Sequence, residues 1–229
     1  SPTSKEYFER EAGYTYPCGV FTDTQLHGKQ EMVLTDCVGL IVNNKISDVE
    51  SLSPIIAAWA QYCQAHGQVK IMKLKNGQEV PRLNCPLILF ISDIEGSAFT
   101  TLKLNEEFGT HPVYIVRMPY IRDEREAMLN DLKYVTGCHQ VFSDMRGSSL
   151  SRFGADMEEN MQFMEFGEMP KVVLSKDKVV ITPSQDSQLC MDKIADTMEL
   201  MPDKDGFIAD RISRLKCGLV NLYVAGKTP

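Results

Sequence analysis

The chain has 229 residues, enough for one large domain or two small ones, and its 43% hydrophobic and 24% charged residues exclude disordered, collagen-like and low-complexity classes. Its 24 Lys and Arg against 31 Asp and Glu give a net charge of −7, which argues against nucleic acid or an anionic membrane as a partner. No apolar run reaches the roughly 20 residues of a membrane helix. Because the polar start has neither an initiator Met nor a signal-peptide pattern, we expect an excised piece of a longer chain.

Strands and helices alternate through the first part of the chain. The apolar runs that predict buried strands are Val38–Val42, Pro86–Ile91 and Val113–Arg117. A helical pattern follows each run, and the three patterns end near Gly67, Phe108 and Gly137. This alternation predicts an α/β core with parallel strands.

The start of the first helix stays open between two solutions. Ser47 and Glu50 have the spacing of a capping box. Alternatively, Ser53 is the N-cap and Pro54 occupies the first helical position, where its missing N–H costs nothing.

Two β-hairpins are predicted beside this core. One spans 69–83, with Asn76-Gly77 between alternating, Lys-rich flanks, and the other surrounds Lys176-Asp177. A Met- and Glu-rich stretch covers Met157–Met169. The remaining predicted elements are polar helices near 186–200 and 205–216 and a final strand, Leu219–Val224. No linker or repeat interrupts the chain, so we read 1–229 as one domain.

Little in the chain points to catalysis. Seven cysteines, an odd number without a C-x-x-C pair, are typical of free thiols in a reducing compartment. Cys138-His139 is the one adjacent Cys/His pair, but neighbours on an extended chain point to opposite faces. The four His have no metal-ligand spacing.

Two carboxylates at a strand end support an enzymatic alternative. Asp93 and Glu95 follow a buried strand, at the sheet edge where ligands bind in open parallel sheets. Such a pair could hold Mg²⁺ while Asp93 attacks a phosphate, which faintly resembles the haloacid-dehalogenase-type phosphatases. The second acidic pair that such a site needs is missing, so a solvated turn is the simpler interpretation.

Read together, several segments resemble the apical domain of a GroEL-type (group I) chaperonin. Gly13-Tyr14 with Pro17 resembles the family's Gly-Tyr-x-Ser-Pro, and Lys45–Val49 resembles Lys-Ile-Ser-Asn-Ile. Ser53–Ile56 stands where the family has Leu-Pro-Val-Leu, and Asp93–Ala98 resembles Asp-Val-Glu-Gly-Glu-Ala.

The resemblance continues in order over nearly the whole chain. Arg122–Leu129 is similar to Gly-Asp-Arg-Arg-Lys-Ala-Met-Leu, with Thr136-Gly137 in register. Val172–Ile181 resembles the Val-Val-Ile-x-Lys-Asp hairpin, and 211–226 resembles the closing helix, strand and Val-Gly exit. Divergence from the family would suit a viral or phage member, and the implied fold is the swivelling β/β/α-type apical-domain fold.

The resemblance implies a domain that captures non-native polypeptides and a GroES-type co-chaperonin through apolar residues on two amphipathic helices. The positions that carry over as binding residues are Tyr14, Tyr16, Cys18, Ser53, Ile56, Phe99, Lys103, Leu104 and Asn105. We expect Ile56, Phe99 and Leu104 to be exposed as an apolar patch. Ser53 and Lys103 replace apolar residues of the family, which predicts a less apolar, more cationic groove.

The resemblance also places ATP chemistry outside this chain. The nucleotide site would lie in an equatorial domain of the parent, so we expect neither a cofactor nor catalysis here, with ATP and Mg²⁺ belonging to the parent ring. The isolated domain is expected to be monomeric or weakly associating and the protein cytoplasmic, in a host cell if viral, or in an organelle matrix. The 69–83 hairpin is an apparent insertion that contacts substrate, a neighbouring subunit, or nothing. A scaffold domain with one specialised native partner remains a further alternative.

Overall fold

The computed structural model describes residues 13–119, 122–138, 141–143, 166–203 and 205–216. The strands are β1 (Tyr14–Tyr16), β2 (Glu31–Ile46), β3 (Val69–Lys73), β4 (Glu79–Leu83), β5 (Leu87–Ile94), β6 (Val113–Val116), β7 (Val141–Ser143), β8 (Gly167–Ser175) and β9 (Val179–Thr182). The helices are α1 (Val49–Ala65), α2 (Gly96–Phe108), α3 (Arg122–Thr136), α4 (Gln185–Met198) and α5 (Phe207–Leu215), with a 3-10 turn at Asp23–Leu26.

One mixed sheet organises these elements. Its strand order is β1-β9-β8-β2-β5-β6, with β7 also beside β2. Strands β5 and β7 are parallel to β2, and β6 is parallel to β5, whereas β8, β9 and β1 add antiparallel pairs. The predicted fold class, an α/β core of parallel strands with flanking helices and hairpins, is confirmed.

Helices cover both faces of the parallel strands. Helix α1 packs against α2, whereas α4 and α5 pack against α3. Because crossovers between parallel strands are right-handed, the strand order puts the first pair on one face of the sheet and α3 on the other. Leu87–Ile91 of β5 is completely buried, as a parallel strand covered on both faces requires. None of the helices within the described ranges is long and apolar enough to cross a membrane.

The start of α1 differs from both predicted solutions. Asp48 is the N-cap, with its carboxylate accepting a 2.8 Å hydrogen bond from the Ser51 N–H. Ser47 instead donates to the Glu95 carboxylate, and Ser53 lies one turn inside the helix. Pro54 is therefore an interior residue of α1, without an N–H for the bond to the preceding turn. The sequence prediction considered Ser47 and Ser53 as caps but not Asp48, which is the N-cap in the structure.

Both predicted hairpins are confirmed. Strands β3 and β4 form a separate two-stranded sheet around a loop in which Gly77 has φ +86°. Strands β8 and β9 pair on either side of Lys176-Asp177. The predicted final strand, 219–224, and residues 157–165 of the Met-rich stretch lie outside the described residues, while Met169 at its end is buried on β8.

Candidate polypeptide-binding surface

Helices α1 and α2 start side by side at the carboxyl edge of the parallel strands. The Val49 N–H at the start of α1 donates to the Ser97 hydroxyl at 3.2 Å, and the Glu95 N–H donates to the Ile46 carbonyl at 3.0 Å. Gly96 begins α2 with φ +58°, and a Cβ there would lie 2.5 Å from the Ser47 carbonyl oxygen. Two neighbouring parallel strands therefore deliver two helices that run in the same direction.

The opposite ends of the two helices also meet. After α1, the Gln68 N–H donates to the Cys63 carbonyl at 2.7 Å, and the Asn84 N–H donates to Gln68 at 2.8 Å. After α2, the Thr110 carbonyl accepts from the Leu83 N–H at 3.2 Å. The base of the β3–β4 hairpin thus lies at the C-terminal ends of both helices.

Three large apolar side chains on this helix pair face solvent. Val49 is 37% exposed, Leu104 is 47% exposed and Phe108 is 59% exposed. Leu104 and Phe108 are four residues apart on α2, so they lie on one face of the helix. We call Leu104 and Phe108 the apolar patch; Val49 lies apart from them, at the start of α1 beside Ser97.

The predicted exposure of the binding helices is met only in part. Leu104 is exposed, whereas Ile56 and Phe99 are half-buried and pack against the hydrophobic core. The Phe99 ring packs edge-on against Phe21 at a centroid distance of 5.7 Å. Lys103 lies above Phe99, with its Nζ 5.4 Å from the ring centroid. The lysine therefore covers part of the surface that the prediction assigned to Phe99.

Tyr14 and Tyr16 do not line a binding surface, contrary to expectation. Both are fully buried, because alternate residues of β1 point to the same face and that face meets the core. The Tyr16 hydroxyl donates to the Arg117 carbonyl at 2.9 Å, and its ring packs against Phe90. Cys18, just after the strand, is half-buried, and burial raises the pKa of its thiol.

The polar residues among the predicted binding positions have local hydrogen-bonding roles. Ser53 is exposed, but its hydroxyl donates to the Val49 carbonyl one turn earlier at 2.7 Å. Asn105 is half-buried, and its carbonyl accepts the Thr110 N–H at the end of α2.

The carboxylates of the phosphatase alternative are engaged by a lysine. Lys45 Nζ lies 2.7 Å from the Glu95 carboxylate and 3.8 Å from that of Asp93. Hydrogen bonding to Lys45 lowers the pKa of Glu95, and Asp93 accepts the Ile94 N–H. Among the described residues, no group of three or more His, Cys, Asp or Glu side chains could hold a metal ion. This arrangement does not favour a Mg²⁺-dependent phosphohydrolase.

Sequence reasoning missed Val49 and Phe108. A signal for Phe108 was present, since it follows Leu104 by four residues and precedes Gly109, whose φ of +65° ends the helix. Val49 could not be assigned because the start of α1 was left open.

The fold is one that occurs in a chaperonin. Among solved structures, the chain is similar to the chaperonin gp146 from bacteriophage EL 2 (Pseudomonas aeruginosa), determined in the presence of ATP-BeFx, with a TM-score of 0.60, 16% identity and coverage of 89% of this chain. A second crystal form gives a TM-score of 0.59 at 15% identity. The chain spans 36% of the length of the gp146 chain. No protein-family model matches the chain.

Proposed function

We propose that this chain is the polypeptide-binding, apical-type domain of a chaperonin and that it captures non-native polypeptides on the α1–α2 surface. The observation that supports this most strongly is the apolar patch on α2, one of two parallel helices, in a fold that also occurs in a phage chaperonin. The corresponding surface is where the sequence resemblance implies binding.

The patch suits ligands without a defined sequence. Unfolded chains expose apolar side chains, and burying apolar surface contributes about 25 cal/mol per Å² whatever residue supplies it. An α-helix satisfies its own backbone hydrogen bonds, so the exposed side chains of α2 bind without exposing unpaired polar groups.

The broader proposals rest on the same likeness. We propose that the parent protein is a ring-forming chaperonin of the group I type, with ATP and Mg²⁺ bound in segments outside this chain. We also propose that a GroES-type co-chaperonin competes with clients for the α1–α2 surface. The site of action would be the cytoplasm, of a host cell if the protein is viral.

The test removes the apolar patch without touching the core. Leu104→Ser with Phe108→Ser should weaken binding of a chemically denatured client roughly thirtyfold, because two half-exposed apolar side chains contribute about 2 kcal/mol together. Suppression of client aggregation by the chain, measured by light scattering, reports this loss.

Exposed leucines on another surface give a matched control. Leu189, which is 60% exposed on α4, and Leu200, which is 87% exposed just beyond it, are changed to Ser in the same way. This control should retain wild-type capture. Equal loss in both double variants, or loss in neither, would contradict the assignment of the surface.

A further inference from the structure

The β3–β4 hairpin is basic although the chain is acidic. Residues 69–83 contain four basic residues and one acidic residue, whereas the whole chain has a net charge of −7. The basic residues are Lys70, Lys73, Lys75 and Arg82, and all are exposed. None of them forms an ion pair within 4 Å with another described residue. Their positive charge therefore remains available to a ligand.

One edge of this hairpin is open to another strand. The Leu74 N–H donates to the Gln78 carbonyl, so in an antiparallel ladder the alternate pairs Met72–Val80 and Lys70–Arg82 are also the hydrogen-bonded ones. The backbone groups of Ile71 then point outward from β3. Among the described strands, β3 pairs with β4 alone.

The other edge is blocked. Pro81 lies opposite Ile71 and has no N–H to offer, and the outward N–H of Leu83 is already bonded to Thr110. The bond from Leu83 to Thr110 independently confirms that the backbone groups of the odd-numbered residues point away from the partner strand. Strand addition is therefore possible along β3 but not along β4.

The open edge of β3 combines apolar and cationic side chains. Ile71 is 66% exposed, and lysines lie on either side of it at 70 and 73. The base of the hairpin is held to Thr110, two residues beyond Phe108 of the apolar patch. The bond to Thr110 comes from β4, so the open edge of β3 lies on the side of the hairpin away from that contact.

We propose that the hairpin selects clients, by adding an extended segment that alternates apolar and acidic side chains as a third strand along β3. This inference rests on the proposed function and names the class of polypeptide that the same surface prefers. Main-chain hydrogen bonds to the outward groups of Ile71 provide sequence-independent affinity. Lys73, on the same face of β3 as Ile71, and Lys70, on the opposite face, provide the preference for acidic side chains together with Lys75 in the adjoining turn.

A polypeptide fits this edge better than a nucleic acid. The hairpin has no aromatic side chain on which a base could stack, and the surrounding chain is acidic. A strand edge with a free N–H and C=O matches the backbone of an extended peptide directly.

The test compares two labelled ten-residue peptides of alternating Val with Glu and alternating Val with Lys, by fluorescence anisotropy with the 229-residue chain. The Glu peptide should bind about tenfold more tightly at 50 mM salt, and raising the salt to 500 mM should reduce the difference. Lys70→Glu with Lys73→Glu and Lys75→Glu should abolish or reverse the preference. The control Lys29→Glu with Lys178→Glu and Lys193→Glu makes the same charge change on other exposed lysines and should preserve it.

A backbone variant separates strand addition from charge attraction. Ile71→Pro removes the outward N–H but no ladder bond, and Pro81 directly opposite shows that the ladder accommodates proline there. It should weaken binding of the Glu peptide at least fivefold more than Ile71→Ala does. Circular dichroism and urea unfolding confirm that both variants are folded.

The outcomes distinguish this inference from the proposed function. Capture of denatured client that depends on Leu104 and Phe108, without any preference between the peptides, overturns the hairpin inference alone. Equal binding by Ile71→Pro and Ile71→Ala also overturns it. Full competition by single-stranded DNA would show that the lysines bind nucleic acid instead. Self-association in sedimentation that appears only in the Lys70, Lys73 and Lys75 variant would show that the lysines merely protect the strand edge. If the wild-type chain captures no denatured client at all, the proposed function itself is refuted.

Discussion

A buried ion pair ties α5 to α3. Arg211 donates to both carboxylate oxygens of Asp131, at 2.8 and 2.7 Å, and the Asp131 side chain is 1% exposed. Burial raises the pKa of Asp131, and Arg211 only partly opposes that effect. The carboxylate is thus tolerated in the core because a guanidinium supplies two well-aligned hydrogen bonds.

Removing the arginine should be costly and pH-dependent. Arg211→Met should lower the free energy of unfolding by roughly 3 kcal/mol at pH 7, because an unpaired carboxylate is left in the core. Without the arginine, the pKa of Asp131 is higher in the folded state than in the unfolded state. Below the unfolded pKa the carboxyl is neutral in both states and the cost vanishes, and above it the cost grows as the pH rises. Urea unfolding of variant and wild type at pH 4 and pH 7 measures the difference.

The companion variant removes both partners. Asp131→Leu with Arg211→Met leaves no charge to bury and should approach wild-type stability at both pH values. A single variant whose destabilisation is the same at pH 4 and pH 7 would contradict the assigned role of the Asp131 charge.

Two glycines at helix ends offer a matched comparison. Gly96 and Gly109 have similar positive φ angles, +58° and +65°, but only Gly96 has a backbone oxygen in the position of a Cβ. Gly109→Ala should cost about 1 kcal/mol through the left-handed conformation alone. Gly96→Ala should cost clearly more, because the Ser47 carbonyl must move and separate the starts of α1 and α2. Thermal unfolding compares them, and equal losses would argue against a close approach of α2 to Ser47.

At the scale of elements, the hairpin is an appendage of the fold. It forms its own sheet, and the Asn84 N–H to Gln68 carbonyl bond already joins the chain on either side of it. Val69 packs against the core and Leu83 is buried, so the dispensable part is 70–82.

Replacing 70–82 by a short Gly-containing turn should leave the domain folded. We expect the urea midpoint to change little, since the removed residues are mostly exposed, while the preference for acidic extended peptides disappears. Circular dichroism and the peptide anisotropy assay measure the two effects. A domain that unfolds on this replacement would show that the hairpin belongs to the core rather than to a binding surface.

Apolar runs and turn residues predicted the elements that they dominate. The runs in β2, β5 and β6 are continuous because these strands are covered on both faces, and Asn76-Gly77 indicated its hairpin directly. Only 38–42 of β2 was predicted, although the strand spans Glu31–Ile46, because its first part alternates and carries Thr35 and Asp36. That part is held by pairing with β8, a contact distant in sequence that local pattern does not contain.

The candidate surface was harder to predict than the fold. Helical spacing shows that Ile56 and Phe99 belong to amphipathic helices, but not how deeply a neighbouring segment covers them. Phe21, in a loop before β2, covers Phe99 from one direction. Lys103, one turn further along α2, covers it from another. Tyr14 and Tyr16 were placed by resemblance alone, whereas the alternation within β1 explains their burial.

At the scale of the whole molecule, the fold gathers the candidate binding elements on one side. The parallel strands bring α1, α2 and the hairpin base together on one face, while α3, α4 and α5 build the other. The chain spans 36% of the length of a gp146 chain, and we propose that an ATP-driven cycle depends on segments outside it. What this domain contributes, in our account, is the surface that holds the client.

Site-specific cross-linking tests that claim most directly. A photoreactive phenylalanine analogue is placed at Leu104 in one variant and at Leu189 in another, and each is irradiated with a denatured client. We expect client adducts from position 104 and few from position 189, because Leu189 is more exposed than Leu104, at 60% against 47%, but lies on α4, which packs against α3. Equal adducts from both positions, or adducts mainly from 189, would contradict capture by the α1–α2 surface.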